Sequence, residues 1–96
     1  MTMPGGLRLR PTTAFGRDLK RVSKRGYDLD RLHDVIERLR VGAALEPRHR
    51  DHALSGDWKG WRDCHVEPDW LLIYRVDEDA VELILGRTGT HADLWE

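Results

Sequence analysis

Apolar side chains recur at helical spacing in two neighbouring segments of the first half of the chain. They are Phe15, Leu19 and Val22 in the first segment, and Leu29, Leu32, Val35, Ile36 and Leu39 in the second. Thr12 or Thr13 can cap the first helix and Asp28 the second. Gly26 and Gly42 are placed to end them. The short link predicts an antiparallel helical hairpin, whose two apolar stripes need a common surface to cover.

Four shorter apolar runs are typical of β-strands, and they cover residues 7–10, 64–66, 71–74 and 81–85. Pro11 closes the first run as an edge strand, and Pro68 lies in a turn between the second and third. Polar residues 44–50 and residues 86–91 are expected to form loops. This order predicts an α+β fold with the helical hairpin on one face of a mainly antiparallel four-stranded sheet, while the other face stays open.

The 96 residues are sufficient for one domain, residues 1–96, of which residues 1–6 are expected to form a flexible leader. The net charge of -1 hides an asymmetry, because residues 1–50 carry +6 and residues 51–96 carry -7. A basic half favours a polyanionic partner. Cys64 is the only cysteine, so no internal disulfide is expected and a reducing cytoplasm fits. No apolar run is long enough for a membrane span.

Five ionisable residues on separated segments have the chemistry needed to cleave a phosphodiester without a metal ion. They are His52, His65, Asp69, Arg87 and His91. Such a reaction needs a base for the attacking 2'-hydroxyl, an acid for the 5'-oxygen and a cation for the phosphate. Histidine titrates near neutrality and can fill either proton role. Trp70 and Trp95 would add flat surfaces on which unpaired RNA bases stack.

A zinc site is the alternative use of these side chains, because His49 and His52 form an H-x-x-H pair and Cys64 adjoins His65. Neighbouring residues of a strand point to opposite sheet faces, so Cys64 and His65 are not expected to share one ion. The chain also lacks a C-x-x-C pair. We therefore predict no metal site.

Three segments resemble the YafQ branch of the RelE/ParE superfamily of bacterial type II toxins. They read TTAFGRDLKRVSKRGYDLDRLHDVIERL, DHALSGDWKGWRDCHVEPDWLLIYRV and GRTGTHADLW. The resemblance implies a RelE-like fold without a cofactor, and a ribosome-dependent nuclease that cuts messenger RNA in the A site. Its products would be a 2',3'-cyclic phosphate and a 5'-hydroxyl, formed without a metal.

The family's site residues fall on the five ionisable groups above and on Trp70 and Trp95. By this resemblance, Asp69, His52 or His65 takes the 2'-hydroxyl proton, Arg87 stabilises the phosphate and His91 protonates the leaving oxygen. Asp69 would need a raised pKa to act as the base. The chain departs from the family at Trp95, where the usual aromatic residue is Phe, and in its near-neutral charge.

The resemblance also implies partners. These are the 70S ribosome and its RNA, the messenger RNA, a cognate antitoxin, and operator DNA reached only through that antitoxin, with no membrane. The basic residues of the first helix, Arg17, Lys20, Arg21 and Lys24, are expected to contact ribosomal RNA. A different class of function also fits the fold, namely a non-catalytic module that acts as an antitoxin-bound co-repressor or targets a protein.

Overall fold

Residues 6–95 are described in a computed structural model as a five-stranded sheet with two long helices and one short helix. The elements are β1 (Arg8–Pro11), α1 (Thr13–Lys24), α2 (Leu29–Arg40), β2 (His52–Ala53), β3 (Arg62–Glu67), β4 (Trp70–Asp77), β5 (Glu82–Gly89) and α3 (His91–Trp95). The strand order is β1-β5-β4-β3-β2. Only β1 pairs in parallel, with β5. The α+β prediction is confirmed. Apart from Gly6, the predicted leader lies outside the described residues.

The helical hairpin forms as predicted from its caps. The side-chain oxygen of Thr12 accepts the backbone N–H of Phe15 at 3.1 Å, and that of Asp28 accepts the N–H of Asp30 at 3.1 Å. Gly26 and Gly42 follow the two helices with φ of +81° and +77°, a conformation that glycine adopts without steric cost. Within residues 6–95, no helix has the length and apolar character needed to cross a membrane.

The main core lies between the hairpin and one face of β3, β4 and β5. Its central members are Phe15, Val22, Leu32, Val35, Ile36, Cys64, Val66, Trp70, Leu72, Tyr74, Leu83 and Leu85. The Trp70 side chain is only 1% exposed. Its indole N–H donates to the Thr88 hydroxyl at 2.9 Å, and its ring meets the edge of Tyr27 with centroids 5.0 Å apart. The prediction that Trp70 stacks on a base is therefore wrong, because core packing uses its whole surface.

The second sheet face is not open as predicted. Leu71 and Ile73 alternate with the core-facing residues of β4, yet both are fully buried. Trp61 packs over this face so closely that a Cβ at Gly86 would lie 2.5 Å from its ring. Trp58 meets Trp61 and Trp95 edge to face, with centroids 5.8 and 6.0 Å apart. A tryptophan cluster (Trp58, Trp61 and Trp95) therefore forms a second, smaller apolar layer.

Three further expectations need correction. The sheet has five strands because the two-residue β2 adds to β3, with His52 opposite Asp63. The segment 86–91 is not a loop, since β5 continues to Gly89 and His91 begins α3. Thr90 and Asp93 hold this helix start by reciprocal backbone-to-side-chain hydrogen bonds of 3.0 and 3.1 Å. Within the loop 44–50, Pro47–His49 forms a 3-10 turn that buries His49.

Candidate active site

Strand register brings the predicted site residues to one sheet face. Asp63, Ile73 and Arg87 lie opposite one another across β3, β4 and β5, and His65, Leu71 and Gly89 form the next row on the same face. Two residues after Gly89 the chain reaches His91, whose ring lies 5.6 Å from that of His65, centroid to centroid. Residues 26 positions apart in sequence are therefore neighbours.

Asp69 holds His91 by two hydrogen bonds. Its Oδ1 accepts the backbone N–H of His91 at 3.0 Å and lies 2.6 Å from the imidazole Nδ1. A carboxylate can only accept, so Nδ1 carries a proton and Nε2 is left for a substrate. These bonds, the backbone one first, lower the pKa of Asp69. Because the base role requires a raised pKa, the geometry disfavours Asp69 as the base and makes it the residue that orients His91.

His65 has the environment of a neutral imidazole. Partial burial lowers its pKa, although the nearby Asp63 carboxylate opposes that shift. At neutral pH the ring is therefore largely uncharged and able to accept a proton. His52 lies at the other edge of the site on β2, where its Nδ1 donates to the carbonyl of Arg50 at 2.6 Å. Its Nε2 is 3.9 Å from Asp63 Oδ2. His65 and His52 therefore both remain candidates for the base that accepts the 2'-hydroxyl proton.

Asp63 is a further candidate site residue, which sequence reasoning missed. Only 5% of it is exposed, and its Oδ1 is the one buried side-chain oxygen or nitrogen in residues 6–95 without a hydrogen-bond partner. Burial raises its pKa, while the charges of His52, His65 and His91 act in the opposite direction. The sequence contained a signal for placing Asp63 in the site, because Asp63 and His65 are two residues apart on one strand and therefore share a sheet face.

The Arg87 guanidinium is held by a second carboxylate that sequence reasoning also missed. Asp18 of α1 accepts Arg87 Nε at 2.6 Å and Nη2 at 3.2 Å. These bonds raise the pKa of Arg87, so its charge is permanent. Asp18 stands in the apolar stripe between Phe15 and Val22, and a carboxylate at such a position was the signal that a cation faces it.

The basic residues of α1 divide into two groups. Arg21 faces acidic side chains, 3.6 Å from Asp18 and 3.9 Å from Asp93, and Arg25 forms a bidentate pair with Asp93 at 2.7 and 3.0 Å. Arg17, Lys20 and Lys24 are exposed on the surface of α1. The candidate RNA-binding surface is thus these three residues, while Arg21 and Arg25 tie the helix to α3.

The candidate metal ligands do not form a cluster. His49 is buried with Nδ1 2.6 Å from the carbonyl oxygen of His65, and Cys64 is fully buried in the main core, where burial raises the pKa of its thiol. Among residues 6–95, no three His, Cys, Asp or Glu side chains are arranged to hold a metal ion. Of the predicted stacking aromatics, Trp95 remains accessible, at 42% exposure.

Comparison with known proteins places this site in a family. Residues 7–96 match the family model described as the bacterial toxin of a type II toxin-antitoxin system, YafQ. The chain belongs to the YafQ toxin family. The mRNA interferase toxin YafQ of Escherichia coli (strain K12) is 40% identical over 82 residues, which span 84% of this chain and 87% of that protein.

Solved structures of bacterial toxins have a similar fold. The E. coli DinJ-YafQ toxin-antitoxin complex contains a chain with a TM-score of 0.85 and 37% identity, covering 95% of this chain and 99% of that one. The metal-bound toxin from Helicobacter pylori gives a TM-score of 0.88 at 37% identity, covering 93% and 99%. The RelE-like fold expected from the sequence is consistent with these likenesses.

Proposed function

We propose that this YafQ family member is an mRNA interferase, the toxin of a type II toxin-antitoxin pair, which cuts ribosome-bound messenger RNA in the A site without a metal ion. The observation that carries the proposal is the meeting of His65 with the Asp69-oriented His91 on a face that also carries Arg87. The named activity of the E. coli relative supports the nuclease class. Ribosome dependence rests on the family resemblance.

His65 is the preferred base in this mechanism, with His52 as the alternative. A neutral imidazole removes the proton of the 2'-hydroxyl, whose oxygen then attacks the adjacent phosphorus. The imidazolium so formed is stabilised by the Asp63 carboxylate, whose Oδ1 has no hydrogen-bond partner in the resting site. Asp63 thus gains its partner at the step where the base becomes charged.

His91 acts as the acid. Asp69 holds Nδ1–H, so the protonated ring presents Nε2–H to the 5'-oxygen as the P–O5' bond breaks. The products are a 2',3'-cyclic phosphate and a 5'-hydroxyl, and the two histidines return to their starting protonation states by exchange with water. Arg87 balances the negative charge that develops on the phosphate. The exposed ring of Trp95 is available to stack on a base.

The partners follow from the family and from the charge distribution. Arg17, Lys20 and Lys24 give α1 an exposed basic surface for ribosomal RNA, although the whole chain has a net charge of only -1. An antitoxin that covers the toxin is expected because the E. coli relative was crystallised with DinJ. Operator DNA would be reached through that antitoxin.

The proposal is tested by mapping cleavage sites in a purified translation system, with and without ribosomes. Wild type, His91→Ala and the control His33→Ala are compared, since His33 is exposed on α2 outside the site. We expect wild type and His33→Ala to cut only ribosome-bound message and His91→Ala to lose at least 100-fold in rate. If folded wild type binds its antitoxin but cuts nothing, the chain is a non-catalytic co-repressor module.

A further inference from the structure

Asp18 is a carboxylate in a place where an apolar side chain would normally pack. It lies on the same face of α1 as Phe15 and Val22 and is only 1% exposed. Burying a charge costs stability unless it is paired and hydrogen-bonded. Its position therefore demands a partner that repays this cost.

Among residues 6–95, the hydrogen bonds of the Asp18 carboxylate all go to the last part of β5. Besides the two contacts with Arg87, its Oδ2 accepts the backbone N–H of Thr88 at 3.1 Å. β1 pairs with β5 only as far as Leu85, so the segment from Gly86 onward has no strand on that edge. Asp18 thus occupies the place of a neighbouring strand and joins α1 to the strand that carries Arg87.

Arg87 keeps three of its five N–H groups for other partners in this arrangement. A guanidinium has five N–H groups, and Asp18 uses one on Nε and one on Nη2, which leaves three. The side chain is 27% exposed. Around it, the three guanidinium groups of Arg21, Arg25 and Arg87 outnumber the two carboxylates of Asp18 and Asp93, so the cluster has a net charge of +1.

We propose that Asp18 is a positioning residue for the phosphate of the substrate. Asp18 binds the Nε and Nη2 edge of the Arg87 guanidinium. The remaining N–H groups are thereby held in position for the phosphate oxygens. A long side chain that is already fixed in one conformation loses less freedom when it meets the charge that develops on the phosphate in the transition state. This inference rests on the proposed function, because it assumes that Arg87 meets the scissile phosphate.

The test is single-turnover cleavage of ribosome-bound message by Asp18→Asn. This change keeps the shape of the side chain but weakens its hydrogen bonds to Arg87. We expect the maximal rate to fall roughly 10- to 100-fold with less than a threefold change in the half-saturating toxin concentration. Asp34→Asn, the same change at an exposed position of α2, is the matched control and should cleave like wild type.

A double-mutant cycle asks whether the effect passes through Arg87. Arg87→Lys removes the planar fork, so adding Asp18→Asn to it should change the rate by less than threefold. If the two losses multiply in full, or if folded Asp18→Asn cleaves within twofold of wild type, the inference is overturned and the proposed function stands. If wild type itself does not cleave ribosome-bound message, the proposed function fails instead.

A second measurement does not depend on activity or on the folding of Asp18→Asn. In the NMR spectrum of the arginine Nε–H groups of wild type, the Arg87 signal should be shifted and protected from exchange with water, because its proton lies in a partly buried bond to the Asp18 carboxylate. Its absence in Arg87→Lys assigns the peak. An Arg87 Nε–H that exchanges as fast as those of exposed arginines would overturn the inference.

Discussion

Replacing Asp63 by Asn is expected to stabilise the protein while impairing it as an enzyme. The Asp63 carboxylate is buried, its Oδ1 has no donor, and the nearest cation-forming group is His52 Nε2 at 3.9 Å. A buried polar group left without a partner costs about 1–3 kcal/mol, and more if it is charged. Asn removes the charge but keeps a polar group, so we expect a gain of about 1 kcal/mol.

The gain depends on pH in a direction fixed by the raised pKa of Asp63. A group whose pKa is higher in the folded state stabilises the fold while it is protonated, and that contribution is lost as the pH rises above its unfolded value of about 4. Wild type therefore carries the cost of the buried charge at pH 8. Below pH 4 the carboxyl group is neutral and the cost is absent.

The assay is thermal unfolding of wild type and Asp63→Asn at pH 8, 5.5 and 3.5. A gain of about 1 kcal/mol corresponds to a rise in Tm of about 4–8 °C for a domain of this size, and the rise should be largest at pH 8. Cleavage should fall, and the pKa of His65 should fall further in an NMR titration, because the carboxylate that raises it is gone. A variant less stable than wild type at pH 8 would refute the reasoning.

Three other predictions concern the core, the short helix and metals. Trp70→Phe should lose about 1–3 kcal/mol of stability, measured by urea unfolding, through the lost bond to Thr88, but should keep its cleavage rate within twofold at 25 °C; a large rise in KM would restore the stacking role. Asp93→Asn should cost about 1 kcal/mol at pH 7, because the Arg25 bond and the Thr90 bonds hold the Asp93 pKa low, and this difference should shrink as the pH falls below about 4; equal loss at pH 3 would contradict it. Cleavage should be unchanged by 1,10-phenanthroline, which removes transition metals but leaves ribosomal magnesium, and inhibition that zinc reverses would sink the metal-free mechanism.

Elements with a local signal were predictable from the sequence. Periodic apolar positions and the caps Thr12 and Asp28 located the hairpin, because each helix is specified by residues within a few positions of one another. Apolar runs and Pro68 located the β3–β4 hairpin for the same reason. The family resemblance predicted His65, Asp69, Arg87 and His91 as candidate site residues, but it did not say how they meet.

Only the tertiary structure decided the environment of those residues. The sequence shows only that Trp70 is large and apolar. Whether its ring faces a base or the core depends on Tyr27 and Thr88, which lie on other segments of the chain. The role of Asp18 likewise depends on its contact with Arg87, 69 positions away. That of Asp63 depends on its contact with His52, 11 positions away. Local pattern locates the two long helices and the main strands, whereas burial and charge at a site arise from long-range packing, which no short window of sequence contains.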